Sequence, residues 1–259
     1  MRTIRDVKKY MGYMLYSARA CLKAEVANSY LNWVWWVLEP FCFMLIYAII
    51  FGVIFAQNIE NFPVYIFIGN TIWAFFSKTI FSSVTMIRRN ETIIAKVYIP
   101  KYMLLIVEML VNGFKMVISF GIVGIMLIVF QIRISLNIVW MIPIMIVFFM
   151  ITFGIGTIMM HCGVYIDDLS YAMNIVLQML MYFTGIFFSI EQRVPEPFCT
   201  ILGVYNPVAF LLTSARKTIM YASMPDAVLL FIWFMVALLV DAFGVKLIYK
   251  NENNYVKIM

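Results

Sequence analysis

Long apolar runs alternate with short charged breaks along almost the whole chain. The runs cover residues 33–56, 62–87, 102–130, 138–160, 172–190 and 227–249. Each is close to or above the roughly 20 residues that cross a bilayer core. The pattern predicts an all-α integral membrane protein with six transmembrane helices, organised as one domain over residues 1–259. Ahead of the first run, Ile4, Val7, Met11, Met14, Ala18 and Cys21 recur at three- and four-residue steps, with Arg5, Lys8, Lys9, Arg19 and Lys23 between them. That is one apolar stripe on a basic helix over 1–25, the pattern of a helix lying in the membrane interface. A helix packed on a partner subunit would give the same stripe.

Two breaks are more than turns. Between the second and third runs the chain reads RRNETIIAKVYIPK over 88–101, with an amphipathic piece over 92–98 closed by Pro100 and Lys101. A tight turn would join two spans, so a charged helix at this place is expected to touch something outside the membrane. Residues 191–226 hold EQRVPEP and then two apolar pieces split by Asn206 and Pro207, each too short to span. Short helices that dip into the membrane and return, shielded by protein, are the expected solution.

Composition agrees with the pattern: 64% of residues are hydrophobic and 12% charged, with a mean hydropathy of +0.95. The net charge of +6 does not point to nucleic acid, because the basic residues gather at the ends of the runs. Thirteen lysines and arginines fall in the N-terminal segment, the 88–101 segment and the C-terminal end, against four on the opposite side. The positive-inside rule then places both termini, the 88–101 helix and the 161–171 loop in the cytoplasm, and 191–226 outside. Cys21, Cys42, Cys162 and Cys199 form no C-x-x-C pair, and His161 has no ligand partner at helical spacing, so neither a disulfide nor a metal is suggested. The first apolar run starts after some 30 residues and is too long for the core of a cleavable signal.

Charges inside the spans are Glu39, Lys78, Glu108, Lys115 and Asp241. Glu108 and Lys115 are seven residues apart on one helical face and are expected to pair, while Lys78 is expected to reach toward the basic end. Asp168 or Ser170 is expected to cap the fifth span, and His161 to be a polar group at the end of the fourth. Trp33, Trp35 and Trp36 suit the headgroup boundary. Trp33, Trp36, Phe43 and Tyr47 form one stripe on the first span, and Tyr182, Phe183, Phe187 and Phe188 crowd the outer half of the fifth. Such rings could line a path for sugars or could simply pack. No phosphate loop or nucleophile–base pair is present, so an enzymatic role is not expected.

Four blocks, in order and at matching spacing over nearly the whole chain, resemble the type-2 permease subunit of ATP-binding-cassette exporters, in the branch that exports lipid-linked polysaccharide, O-antigen and teichoic acid. They are SYLNWVWWVLEPFCFMLIYAIIFGVIF (29–55), GNTIWAFFSKTIFSSVTMIRRNETIIAKVYIPKY (69–102), GVYIDDL (163–169) and YNPVAFLLTSARKTIM (205–220). The resemblance implies a homodimer of this chain with two copies of a cytoplasmic ATP-binding cassette subunit, which binds ATP and magnesium while this chain binds no cofactor. It implies a bacterial or archaeal cytoplasmic membrane. It makes 88–101 a coupling helix, with Arg88, Arg89, Asn90, Lys96, Tyr98 and Pro100 facing the ATPase. It sets Asn206, Pro207 and Arg216 near an outer gate. On this reading Arg5, Lys8, Lys9 and Arg19 attract a lipid pyrophosphate headgroup, and Trp33, Trp36, Phe43, Tyr47, Tyr182, Phe183 and Phe187 lie along the path. Two positions depart from the family pattern: Asp167 stands where an arginine is usual, and Gly185 where a proline is common. A drug or peptide exporter of the same fold is the first alternative, and should lack the aromatic path and basic interfacial helix. A proton-coupled secondary carrier is the second, and should show clustered membrane carboxylates and internal repeats.

Overall fold

The computed structural model describes residues 2–27, 30–54, 59–96, 98–133 and 135–258. The expected loop residues Gln57 and Asn58 lie outside these, as do the side chains of Arg2, Ile4, Val7 and Lys257. Among the described residues there are eleven α-helices. They are α1 (Arg2–Val26), α2 (Trp35–Tyr47), α3 (Phe62–Arg89), α4 (Glu91–Lys96), α5 (Tyr102–Val129), α6 (Met141–Tyr165), α7 (Leu169–Phe183), α8 (Ile190–Arg193), α9 (Phe198–Val204), α10 (Pro207–Ile219) and α11 (Ala227–Ile258). α2 runs on into a π-helical stretch, Ala48–Ile54, and a 3-10 turn, Leu136–Trp140, leads into α6.

Five helical segments are long and apolar enough to cross a membrane, and the bent pair α9 and α10, at 82°, would make a sixth. The helix in place of the run at 172–190 is shorter than expected. α7 ends at Phe183 after 15 residues, about 22 Å at the α-helical rise. Gly185 follows with φ +69°, a conformation that costs glycine little and turns the chain out of the helix. Phe187 and Phe188 therefore lie in a turn beyond α7. The amphipathic piece at 92–98 is also shorter, with α4 stopping at Lys96 and no helix from Tyr98 to Pro100. The last helix is longer: the polar tail continues α11 to Ile258.

α3 is the central helix, with 72% of its membrane window buried. Pro63 in its first turn has no amide hydrogen to leave unpaired, and Arg88 and Arg89 in its last turn complement the helix dipole. It packs between α5 and α6, and α6 packs in turn on α11. Small residues set these crossings, as expected where helices associate without a hydrophobic driving force. A Cβ on Gly163 would overlap the Val84 carbonyl of α3, and one on Gly244 would overlap Thr157 Oγ1 of α6. One on Gly154 would sit 2.6 Å from Asp241 Oδ1 of α11. Gly163→Ala is therefore expected to force α3 and α6 apart and lower stability by about 2–3 kcal/mol, the scale of core overpacking. Gly121→Ala, where a new Cβ meets nothing within 4 Å, is the control. Thermal unfolding of the two purified variants would show it, and equal melting would refute the close crossing.

α1 lies against α5 with Met14 and Ala18 buried, while Arg5, Lys8, Lys9 and Arg19 stay exposed. Tyr249 of α11 donates to Asp6 Oδ2 at 2.6 Å, and the Tyr249 and Tyr102 hydroxyls lie 2.9 Å apart. Asp6 thus ties α1 to both α5 and α11. At the other end of α1, Lys115 of α5 pairs with Glu25 at 2.7 Å.

Candidate functional site

Charges that the sequence scatters over four helices meet in one cleft. It has a volume of about 740 Å³ and lies among α1, α2, α3 and α5, with Met181 of α7 at one edge. Along α3 its wall runs from Asn70 to Arg89, about 28 Å at 1.5 Å per residue, close to the thickness of a bilayer core. Three ion pairs stand in it: Lys78 with Glu39 at 3.1 Å, Arg89 with Glu108 at 3.5 Å and Lys115 with Glu25 at 2.7 Å. Arg89 also donates to Ser82 Oγ at 2.9 Å. Lys78 and Glu39 are each about half exposed, at 52% and 49%. Charged side chains so open at membrane depth face an aqueous cavity or other protein, because hydrocarbon solvates them poorly.

The expected pairing of Glu108 with Lys115 is not what forms. Seven residues along a helix is about 10 Å, whereas i and i+4 are the neighbours that touch. Each group instead reaches across to another helix. Lys78 likewise does not reach for the basic end but bonds sideways to α2.

Of the expected path residues, Trp36, Phe43 and Tyr47 line the cleft together with Trp35. Trp36 sets its edge on Phe114 at 5.7 Å, and Phe43 stacks on Tyr47 at 6.1 Å. Trp33, Tyr182 and Phe183 are exposed and lie off the cleft. Phe187 is buried behind Tyr47, 4.9 Å from that ring and 4.5 Å from Phe51, so it backs the wall rather than forming it. Asn112, which donates to Thr79 Oγ1 at 3.1 Å, and Thr71 join the lining. Neither was singled out by periodicity, since a lone polar residue in an apolar run gives no pattern.

The charged segment between α3 and α5 is anchored at several points. Asn90 donates to the Met86 carbonyl at 2.8 Å and closes α3. Arg88 pairs with Asp167 and donates to the Val164 carbonyl at 3.0 Å, so the acidic residue at position 167 joins α3 to the loop after α6. Asp168 occupies the N-cap position of α7 but makes no side-chain cap. Tyr98 donates to Glu252 Oε1 of α11 at 2.9 Å, and the Lys101 amine lies 5.4 Å from the Tyr98 ring centre. Lys101 is buried, which lowers its pKa, and the Glu252 carboxylate draws it partly back up. Ile94, Ile99 and Pro100 are buried, while Thr92, Ile93, Lys96 and Tyr98 are exposed. His161 lies within α6, its Nδ1 2.7 Å from the hydroxyl of Tyr255, a residue that burial in the α11 extension pushes to higher pKa.

On the far side, Asn206 caps α10 by accepting from the amides of Val208 at 3.1 Å and Ala209 at 3.3 Å, and Pro207 takes the first helical position. Arg216 is fully buried. Its Nε donates to the Tyr65 carbonyl at 3.1 Å, Nη1 to Gly185 at 2.7 Å and Nη2 to Ile186 at 2.9 Å. The guanidinium lies 3.4 Å from the centre of the Tyr65 ring, whose hydroxyl donates to the Phe188 carbonyl at 3.0 Å. Arg216 thus joins α10, α3 and the turn after α7.

The sequence matches the family described as ABC-2 type transporter over residues 16–220. It is also similar to three proteins named O-antigen export system permease protein RfbA. One from Klebsiella pneumoniae is 24% identical over 239 residues, covering 92% of this chain and 91% of that protein. One from Myxococcus xanthus is 23% identical over 227 residues, 88% and 87% of the two chains. A second from Klebsiella pneumoniae is 26% identical over 200 residues, 77% and 76%. With four-fifths of its length in the match and with helices long enough to cross a membrane, the chain belongs to the ABC-2 type transporter family, as a membrane subunit.

Proposed function

We propose that the chain moves a lipid-linked polymer, a polysaccharide or a polyol-phosphate chain, across the cytoplasmic membrane, along the cleft among α1, α2, α3 and α5. The observation that carries this is the pairing of membrane-depth charges with the Trp36–Phe43–Tyr47 stripe in one cleft as long as the bilayer is thick. Aromatic faces carry negative charge density and meet the C–H faces of sugar rings, while the polar wall serves hydroxyl groups and water. The names of the similar proteins support a polysaccharide cargo.

In this reading two copies of the chain and two cassette subunits form the working transporter, and the cassette subunits bind ATP and magnesium. With α7 as the fifth crossing, both termini and α4 face the cytoplasm. Arg88, Arg89, Asn90, Lys96, Tyr98 and Pro100 form the coupling region, of which Arg88, Arg89, Lys96 and Tyr98 are exposed while Pro100 is buried. Arg5, Lys8, Lys9 and Arg19, exposed on α1, attract the pyrophosphate headgroup at the inner leaflet. Asn206, Pro207 and Arg216 hold the outer re-entrant region.

The test is ATPase activity of the chain purified with its co-expressed cassette subunit in nanodiscs, with and without the cell's lipid-linked glycan fraction. Stimulation that disappears when the glycan is stripped from its lipid is expected. Stimulation by small amphiphiles alone would instead indicate a drug or peptide exporter, and failure to form any such complex would remove the ATP-driven reading. Trp36→Ala and Tyr47→Ala are expected to slow export several-fold while the complex still assembles; unchanged export would make the stripe packing only.

A further inference from the structure

Among the described residues, every charged group lining the cleft has a partner of opposite sign in the cleft. The lining contains three acids, Glu25, Glu39 and Glu108, and three bases, Lys115, Lys78 and Arg89, matched one to one at 2.7, 3.1 and 3.5 Å. The remaining polar lining is neutral amide and hydroxyl, including Asn70, Asn112 and Ser119. Thr71 Oγ1 is buried there without a hydrogen-bond partner. A second copy of the chain would add the same compensated set and leave the balance at zero.

We infer that the polymer passing this cleft is an uncharged glycan, and that a polyanion such as a polyol-phosphate chain is selected against. The inference rests on the reading of the cleft as a polymer path. A phosphodiester entering the cleft finds no free cation among the described residues that line it. To gain one it must compete with Glu39, Glu108 or Glu25 for its base, and the displaced carboxylate, already partly open to the cleft, then faces the phosphate as a like charge. A polymer with a phosphate in every repeat meets this cost at every step. A neutral sugar chain breaks no ion pair. Its hydroxyls exchange hydrogen bonds with amide and hydroxyl groups and with water, and its rings slide over Trp36, Phe43 and Tyr47. Specificity here comes from what the wall refuses as much as from what it holds. The basic face of α1 is a separate matter: it lies at the inner leaflet, where one pyrophosphate per chain has to be met once.

The experiment uses the complete transporter, this chain with its cassette subunit, in proteoliposomes. Two probes share one polyprenyl-diphosphate carrier, the first bearing a neutral mannan and the second poly(glycerol phosphate). ATPase stimulation and the appearance of polymer on the far side are read for each. The expected result is several-fold stimulation and movement with the mannan and neither with the polyphosphate. Equal or greater movement of the polyphosphate would overturn the inference while leaving a polymer exporter in place. Movement of neither would overturn the polymer path itself, and the inference with it. Glu39→Gln frees Lys78 and gives the cleft a net positive charge, so the ratio of polyphosphate to mannan response should rise several-fold. An unchanged ratio in a variant that still moves mannan would overturn charge compensation as the origin of the preference. Should that variant fail to assemble, the wild-type comparison decides alone.

Discussion

Arg216→Met is expected to melt the end of the molecule built from α10, the start of α3 and the turn after α7. The side chain it removes makes three hydrogen bonds to carbonyls of Tyr65, Gly185 and Ile186 and covers the Tyr65 ring. Methionine fills much of the volume but donates nothing, so the Gly185 and Ile186 carbonyls in the turn lose the donor from Arg216, and the Tyr65 carbonyl keeps only the amide of its own helix. At about 1–3 kcal/mol for each unsatisfied group, and allowing for relaxation, the loss is roughly 3 kcal/mol or more. Arg216→Lys keeps the charge but cannot spread donors over three acceptors as a planar fork does, so it should rescue little. Gly69→Ala should resemble the arginine variants without touching Arg216, because a Cβ on Gly69 would overlap the guanidinium. Thermal unfolding of the purified transporter, with proteolysis of the 184–226 region, would measure all three. Wild-type melting in Arg216→Met would show that the buried guanidinium is not what holds these segments together.

The second large effect is expected at the opposite end. Lys96→Ala with Tyr98→Ala removes two exposed side chains from the segment between α3 and α5, and with Tyr98 the bond to Glu252. Export per ATP hydrolysed should fall by about an order of magnitude, the size of a coupling free energy of ~1–3 kcal/mol, while the subunit stays in the membrane and the cassette subunit still hydrolyses ATP. Tyr98→Phe separates the two roles of the tyrosine. It keeps the ring that a partner would meet and deletes only the hydroxyl that reaches α11, so a fall in that variant would trace to the tie between the segment and α11. Normal export per ATP by the double variant would remove the coupling role from this segment.

Much of this architecture was legible where an apolar run ends on charge or proline. The runs at 62–87 and 102–130 became α3 (Phe62–Arg89) and α5 (Tyr102–Val129) with little change. The run at 172–190 misled, because its hydropathy is continuous through a turn. That turn depends on Gly185 adopting positive φ and on Arg216, some thirty residues later, collecting the carbonyls it exposes. The run at 227–249 fell short in the other direction, since α11 continues past it to Ile258. Hydropathy ends where the polar residues begin, yet Glu252 and Tyr255 find partners in Tyr98 and His161, and the helix continues. Within the cleft, helical periodicity was enough to group Trp36, Phe43 and Tyr47. The partners of Glu39, Glu108 and Lys115 were not readable, since they depend on how α1, α2, α3 and α5 meet.

The burial of the two helices that face each other across the cleft differs sharply, 6% of the membrane window of α2 against 72% of that of α3. Mechanically, the cleft has one stiff wall and one compliant one. Pulling α3 away would strip it from α5 and α6, whereas α2 rests on the bundle through few buried side chains and one ion pair, Glu39 with Lys78. The softest way to change the bore is therefore to let α2 swing, leaving the three-helix stack of α3, α6 and α11 undisturbed. A conduit built this way can take repeat units of differing girth without unfolding between them, because the part that yields is not the part that keeps the protein folded.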